Sequence, residues 1–229
     1  MIQLQNVRFS YPRSGFVLAI DDLTIQQGEK VAIVGPSGSG KTTMLNLICG
    51  ISVAQEGSVR VLQHQVPSSD AARRHFRITQ IGSIFQQFEL VDYLNVRDNM
   101  LLPYWINSAL KLNAAVRDRV VRLAEKTGIA DKLNRRVTQL SQGEQQRVAI
   151  CRAMLPEPKL ILADEPTGNL DVQNKNNVLD MLFQQCDENG QTLVAVTHDT
   201  NILSGFDRTI DFEQFRRPDA GEASRENVK

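Results

Sequence analysis

Cysteine is scarce in this chain: Cys49, Cys151 and Cys186 are its three, scattered through apolar or helical stretches of 229 residues. Their spacing makes neither a metal knuckle nor a disulfide framework, which fits a reducing compartment. Net charge is lacking too, since 26 Lys and Arg balance 26 Asp and Glu. A neutral chain has no electrostatic footing for wrapping nucleic acid, and no strong pull toward anionic lipid. No apolar run approaches the roughly eighteen residues that span a bilayer. The opening stretch, Met1 to Tyr11, has no basic cap before an apolar core, so no secretory signal is expected. A membrane role is therefore expected only through a partner, without direct insertion. Internal repeats and low-complexity stretches are absent as well. What remains is a hydrophobic fraction of 41%, ordinary for a globule with one full core, with or without an inserted subdomain.

Short apolar strands recur along the chain. They are expected at Ile2 to Val7, Val17 to Ile25, Lys30 to Val34, Gly57 to Val61, Ile78 to Phe85, Leu160 to Ala163, Thr192 to Val196 and Arg208 to Phe212. Several are near-continuous Val, Ile, Leu and Ala, as in strands buried on both faces. Lys30 to Val34 is soon followed by a helix signal, and Thr192 to Val196 precedes another at Thr200 to Gly205. That is the strand–helix grammar of a parallel sheet. The middle reads as helix. In Ala114 to Thr127 the residues Val116, Val120, Leu123 and Ala124 line one face, and Gly128 supplies a stop. The expectation is an α/β core, residues 1–87 and 156–215, interrupted by a helical subdomain at about 88–155. The polar tail at about 216–229 is expected to fray.

Gly35, Pro36, Ser37, Gly38, Ser39, Gly40, Lys41 and Thr42 fit the phosphate-loop pattern GxxxxGK[ST]. Glycines let the backbone turn tightly and bring its N–H groups against a β-phosphate with no Cβ between them. A helix starting near Lys41 aims its positive end at the same anion. Lys41 is then expected to reach the β- and γ-phosphates of ATP, and the Thr42 hydroxyl to ligate Mg²⁺. Further on, Leu160 to Ala163 ends in two carboxylates, Asp164 and Glu165. Ligands of parallel sheets sit at the carboxyl ends of strands. Asp164 is expected to face Mg²⁺ through water, and Glu165 to polarise a water attacking the γ-phosphate.

Leu140, Ser141, Gln142, Gly143 and Glu144 follow the phosphate loop in the chain. Physically this is a capping box, with Ser141 at the N-cap and Glu144 three residues on. It also resembles the LSGGQ signature of ATP-binding-cassette (ABC) ATPases. The resemblance covers nearly the whole chain. Gln86 stands at the family's Q-loop glutamine. Asp164, Glu165, Pro166, Thr167, Gly168, Asn169, Leu170 and Asp171 resemble its Walker B and D-loop run. His198 resembles its switch histidine, and Tyr11 its adenine-stacking aromatic. Two departures stand out: Gln142 replaces a glycine and Glu144 a glutamine.

The resemblance implies a P-loop NTPase (RecA-like) core with an antiparallel β subdomain and an inserted α-helical subdomain. It implies catalytic roles for Glu165, His198, Gln86 and Lys41. ATP contacts would run from Gly35 through Thr43, with Tyr11 on the base. Ser141, Gly143 and Glu144 would act in trans, from a second copy docked head to tail, with Asn169, Leu170 and Asp171 at the dimer seam. Thr42, Gln86 and Asp164 would surround Mg²⁺.

The run from Asp164 to Asp171 on a single cassette resembles the macrolide-exporter and lipoprotein-releasing branch. That implies a bacterial cytoplasmic ATPase, peripheral on the inner face of the membrane and docked on a separate permease. The docking groove would take in Gln87 to Val96, with Leu90 to Tyr93 departing from the branch. The cell-division transporter's ATPase is a close relative, so an ATP-driven mechanical regulator is the alternative. A soluble cassette of DNA repair or translation would carry two cassettes or a long coiled-coil insertion. A P-loop kinase leaves the signature run and His198 without a role. Arg73, Arg74, His75 and Arg77 read as a solvated basic face.

Overall fold

The computed structural model describes residues 1–12 and 16–215. Its strands are β1 (Ile2–Ser10), β2 (Val17–Ile25), β3 (Lys30–Val34), β4 (Glu56–Val61), β5 (His64–Gln65), β6 (Ile81–Ile84), β7 (Leu160–Asp164), β8 (Thr192–Thr197) and β9 (Arg208–Asp211). Its α-helices are α1 (Lys41–Ile48), α2 (Asp70–Gln80), α3 (Val96–Ile106), α4 (Ala114–Lys126), α5 (Gln142–Met154) and α6 (Val172–Asn189). Two sheets result: an antiparallel one ordered β2-β1-β4-β5, and a parallel one ordered β6-β7-β8-β3-β9.

The period-two pattern explains why the parallel sheet lies inside. On β7, Leu160 and Leu162 enter one apolar cluster, and Ile161 and Ala163 enter another on the opposite face. On β8, Val194 and Val196 take the first face, and Leu193 and Ala195 the second. The first face packs against α1, through Met44, Leu47 and Ile48, and against the antiparallel sheet, through Leu4, Leu18 and Val61. The second packs against α5 and α6, through Ile150, Met154, Val178 and Leu182. A third cluster is built almost wholly from helices. Val96 and Met100 of α3, Val120 and Leu123 of α4, and Val148 and Cys151 of α5 meet there. The four residues expected on one face of α4 are all buried.

One expected strand is corrected. Residues 78–80 close a helix, and β6 begins only at Ile81. Ser69 caps α2 by accepting a bond from the Ala72 N–H, and Asp70 stands in the first turn near the helix's positive end. Phe76 is the residue α2 buries, so the apolar signal at Ile78 is the end of a largely polar helix. β1 also runs on to Ser10 past a register shift between Gln5 and Arg8. The expectation for residues 216–229 lies outside the described residues.

Candidate functional site

The register of the parallel sheet assembles the site. Val34 pairs with Thr197, Asp164 with Val196, and Ile84 with Ala163. The next residues along the chain, Gly35, His198, Glu165 and Phe85–Gln86, therefore leave the same edge, the carboxyl ends of the strands. There Tyr11, Ser37, Gly38, Gly40, Lys41, Thr42, Thr43, Gln86, Asp164, Glu165 and His198 line one cavity of about 600 Å³.

The phosphate loop needs its glycines for two separate reasons. Gly38 and Gly40 sit at φ 78° and 103°, where an L side chain is strained. At Gly40 an added Cβ would also fall 2.5 Å from the Phe16 ring, so the loop is clamped from outside. Lys41, with 7% of its surface exposed, donates from Nζ to the Gly35 and Pro36 carbonyls, 2.8 Å each. The Ser39 hydroxyl is buried with no hydrogen-bond partner among the described residues. α1 begins at Lys41 with no side-chain cap, so its first N–H groups keep their full pull on an anion.

Opposite stands the carboxylate pair. Thr42 Oγ1 donates to Asp164 Oδ2 at 2.8 Å. Burial pushes the Asp164 carboxyl above its ordinary range; the Thr42 bond pulls it down, Glu165 adds an upward push and Lys41 a downward one. Glu165 holds φ at 50°, uncommon for a residue with a side chain. Its N–H bonds the Val196 carbonyl, and its Oε1 lies 2.7 Å from His198 Nδ1. Asp199, next in the chain, ties to Lys175 of α6 at 2.7 Å, and that bond holds its carboxyl below the usual range.

Other expected residues stand at the edge of this cavity or outside it. Asn169 Nδ2 donates to the Gln86 carbonyl at 2.7 Å, joining the segment after β7 to the one after β6. Leu170 is buried in the α5–α6 cluster, and Asp171 caps α6. Tyr11 meets Phe9 edge-on at 4.8 Å, and its hydroxyl lies 3.3 Å from Thr43 Oγ1. Ser141, Gly143 and Glu144 do not line the cavity. They form the capping box of α5: Glu144 N–H donates to Ser141 Oγ at 3.3 Å, and Ser141 N–H returns to Glu144 Oε2 at 2.8 Å. That backbone donor is the largest influence holding the Glu144 carboxyl low. An added Cβ on Gly143 would stand 3.1 Å from Asn174 Oδ1, so the start of α5 leans on the start of α6.

Sequence reasoning missed Phe16 and Val196, which complete the lining. Phe16 precedes an alternating strand and carries no motif, so only the fold reveals it. Among the described residues, no group of three or more His, Cys, Asp or Glu gathers as a self-contained metal cage. No described helix is long and apolar enough to cross a membrane.

A buried lysine in a donor-rich loop, facing a carboxylate pair at strand ends, is the set that phosphoryl transfer requires. Known proteins agree. The ABC transporter family model matches residues 18–168. The chain is 41% identical to YknY of Bacillus subtilis, an uncharacterised ABC transporter ATP-binding protein, over 92% of each chain. It is 36% identical to a lipoprotein-releasing system ATP-binding protein, LolD 1, of Rhodopseudomonas palustris, over 92% of this chain and 95% of that one. Among solved structures it resembles the dimeric bacterial ABC transporter cassette MJ0796, at 36% identity and a TM-score of 0.82, over 92% of this chain and 94% of that one. A second dimeric structure of MJ0796, in a post-hydrolysis state with ADP and Pi, matches at 35% identity and the same TM-score and coverage. On the phosphate loop, the carboxylate pair and these likenesses, the chain belongs to the ABC transporter family as one of its ATP-binding subunits, an ATPase.

Proposed function

We propose that two copies of this chain close head to tail on MgATP and, by hydrolysing it, drive a separate integral membrane permease from the inner face of the cell membrane. The observation that carries this reading is a divided site. Lys41, Asp164, Glu165 and His198 share one cavity, while Ser141 stands exposed at the start of α5, outside it. One chain thus holds two halves of different sites, and a two-fold pairing would complete both at once. The dimeric cassette among the similar solved structures supports a pairing of two copies.

In this reading the Lys41 ammonium leaves the Gly35 and Pro36 carbonyls for β- and γ-phosphate oxygens. The backbone N–H groups of residues 38–43 take the rest of the triphosphate, and Tyr11 stacks on the adenine. The residues present suit magnesium: Thr42 and Asp164 offer two hard oxygens 2.8 Å apart. Magnesium is bound by one or two carboxylates plus substrate phosphates rather than by a protein cage. Thr42, Gln86 and, through water, Asp164 would hold it, and when bound it neutralises phosphate charge. Glu165 orients and polarises the attacking water, and His198 fixes the Glu165 rotamer. Ser141 and Gly143 of the second copy reach the γ-phosphate, helped by the positive end of α5. Closure then depends on the γ-phosphate, and its loss reopens the dimer.

The helical segment at about 88–155, with Gln87 to Val96, is the proposed permease contact. Tyr93 is 79% exposed there. The lipoprotein-releasing relative supports an envelope substrate as cargo.

Complementation tests the divided site. Lys41→Ala ruins the phosphate half, and Ser141→Arg ruins the signature half. Each variant alone should be nearly inactive. Mixed, they form heterodimers with one intact site, and ATP turnover should return to a substantial fraction of the wild-type rate. If the mixture stays as inactive as its parts, the two halves do not meet across a dimer.

A further inference from the structure

A second recess, unconnected with the nucleotide cavity, runs from the β4–β5 turn along α2. Three cavities of about 400, 720 and 460 Å³ adjoin in that order. The first two share Leu62, His64 and Lys159; the last two share Ala71 and His75. None of their lining residues lines the nucleotide cavity.

Its electrostatics are one-sided. Lys159, His64, His75 and Arg74 line it, and among the described residues no Asp or Glu does. In a chain with equal numbers of acids and bases, that is a local imbalance and not a reflection of composition. Some cations elsewhere carry an acidic partner, Arg8 with Asp21, Lys126 with Glu188 and Arg208 with Glu29. Asp70, the nearest acid in sequence on α2, is engaged by Arg73. The four side chains on the recess have no ion pair among the described residues. The floor between them is apolar, formed by Leu62, Pro67, Ala72 and Phe76.

We propose that this recess binds an acidic peptide segment of a protein partner, one that carries an apolar anchor side chain among its carboxylates. The charges suit carboxylates spaced along an extended segment, with both histidine rings offering an N–H donor. The apolar floor suits a leucine- or phenylalanine-sized anchor, which supplies most of the contact energy in such grooves. A peptide is favoured over a lipid surface because apolar side chains, Leu62, Pro67 and Phe76, lie between the charges, where a headgroup would leave them uncovered and an anchor side chain would cover them.

Fluorescence anisotropy with the full chain tests this. The probe is a short labelled peptide of alternating glutamate and leucine, with a glutamate–serine peptide beside it. Binding of the glutamate–leucine peptide should weaken roughly tenfold in Lys159→Glu and again in Arg74→Glu, and should fall as salt rises. The glutamate–serine peptide should bind much more weakly. Basal ATP turnover should be unchanged in both variants, which also verifies their folding. No binding at millimolar peptide, binding indifferent to both reversals, or equal binding of the two peptides would each overturn the proposal. So would sedimentation with phosphatidylserine vesicles that is lost in the same variants while the peptide fails to bind, since that outcome assigns the recess to lipid.

Discussion

Lys41 is held 2.8 Å from two carbonyls of its own loop, so its ammonium stands in place before any phosphate arrives. Such a cation exchanges carbonyls for phosphate oxygens with little reorganisation. Charged hydrogen bonds are worth about 1.5–3 kcal/mol each. Lys41→Ala is therefore predicted to weaken ATP binding by about a hundredfold or more, read by isothermal titration; near-normal affinity would contradict the role given to it. Asp164 makes a prediction of opposite sign. Burial lifts its pKa above the ordinary 3.8, so the folded chain holds a proton there more readily than the unfolded chain does. The stability this confers is present below 3.8 and is lost as pH rises through the lifted value, leaving a penalty at neutral pH. Asp164→Asn should then melt higher than wild type at neutral pH without nucleotide, and the gap should close toward acid. The same variant should lose stabilisation by MgATP. A lower neutral melting temperature would contradict the burial argument. Most of these residues were legible in the sequence because phosphate chemistry fixes both their types and their spacing. Phe16 was not, because it enters the site through packing alone.

At the scale of elements, the site depends on how closely α5 approaches the parallel sheet. Gly82 of β6 permits that approach: an added Cβ would fall 2.5 Å from the Ala153 carbonyl oxygen and 2.7 Å from Ile161 Cδ1. Neither a carbonyl near the end of α5 nor a strand side chain in the core can give way cheaply. Gly82→Ala is predicted to cost about 1–3 kcal/mol, lowering the melting temperature by about 2–4 °C per kcal/mol. An unchanged thermal scan would show that α5 is not seated as described. The strands that feed the site were readable because β3, β7 and β8 are continuous apolar runs ending in chemistry-bearing residues. α2 was not, because Ile78 next to Ile81 imitates the start of a strand. Only the Ser69 cap and the buried Phe76 reveal a helix that ends at Gln80. α6 carries a polar surface interrupted by Val178, Leu179 and Leu182, too sparse a stripe to stand out beside the motif that precedes it.

For the whole molecule, three apolar clusters divide the labour. Two sandwich the parallel sheet and fix the cavity, and the helical one carries the start of α5. The order of motifs along the chain already pointed to this architecture. That the start of α5 stands away from the cavity was implied only by the family resemblance, which put Ser141, Gly143 and Glu144 in trans; motif spacing alone does not show it, because it follows from the tertiary placement of helices. In the proposed dimer, that division would make nucleotide binding and assembly one event. Glu165→Gln tests this claim most directly. With the carboxylate replaced, ATP should bind without being consumed, turnover should fall by about 10²–10³, and light scattering should report a dimer that requires MgATP and is absent with ADP. Normal turnover, or a monomer at saturating MgATP, would contradict the account.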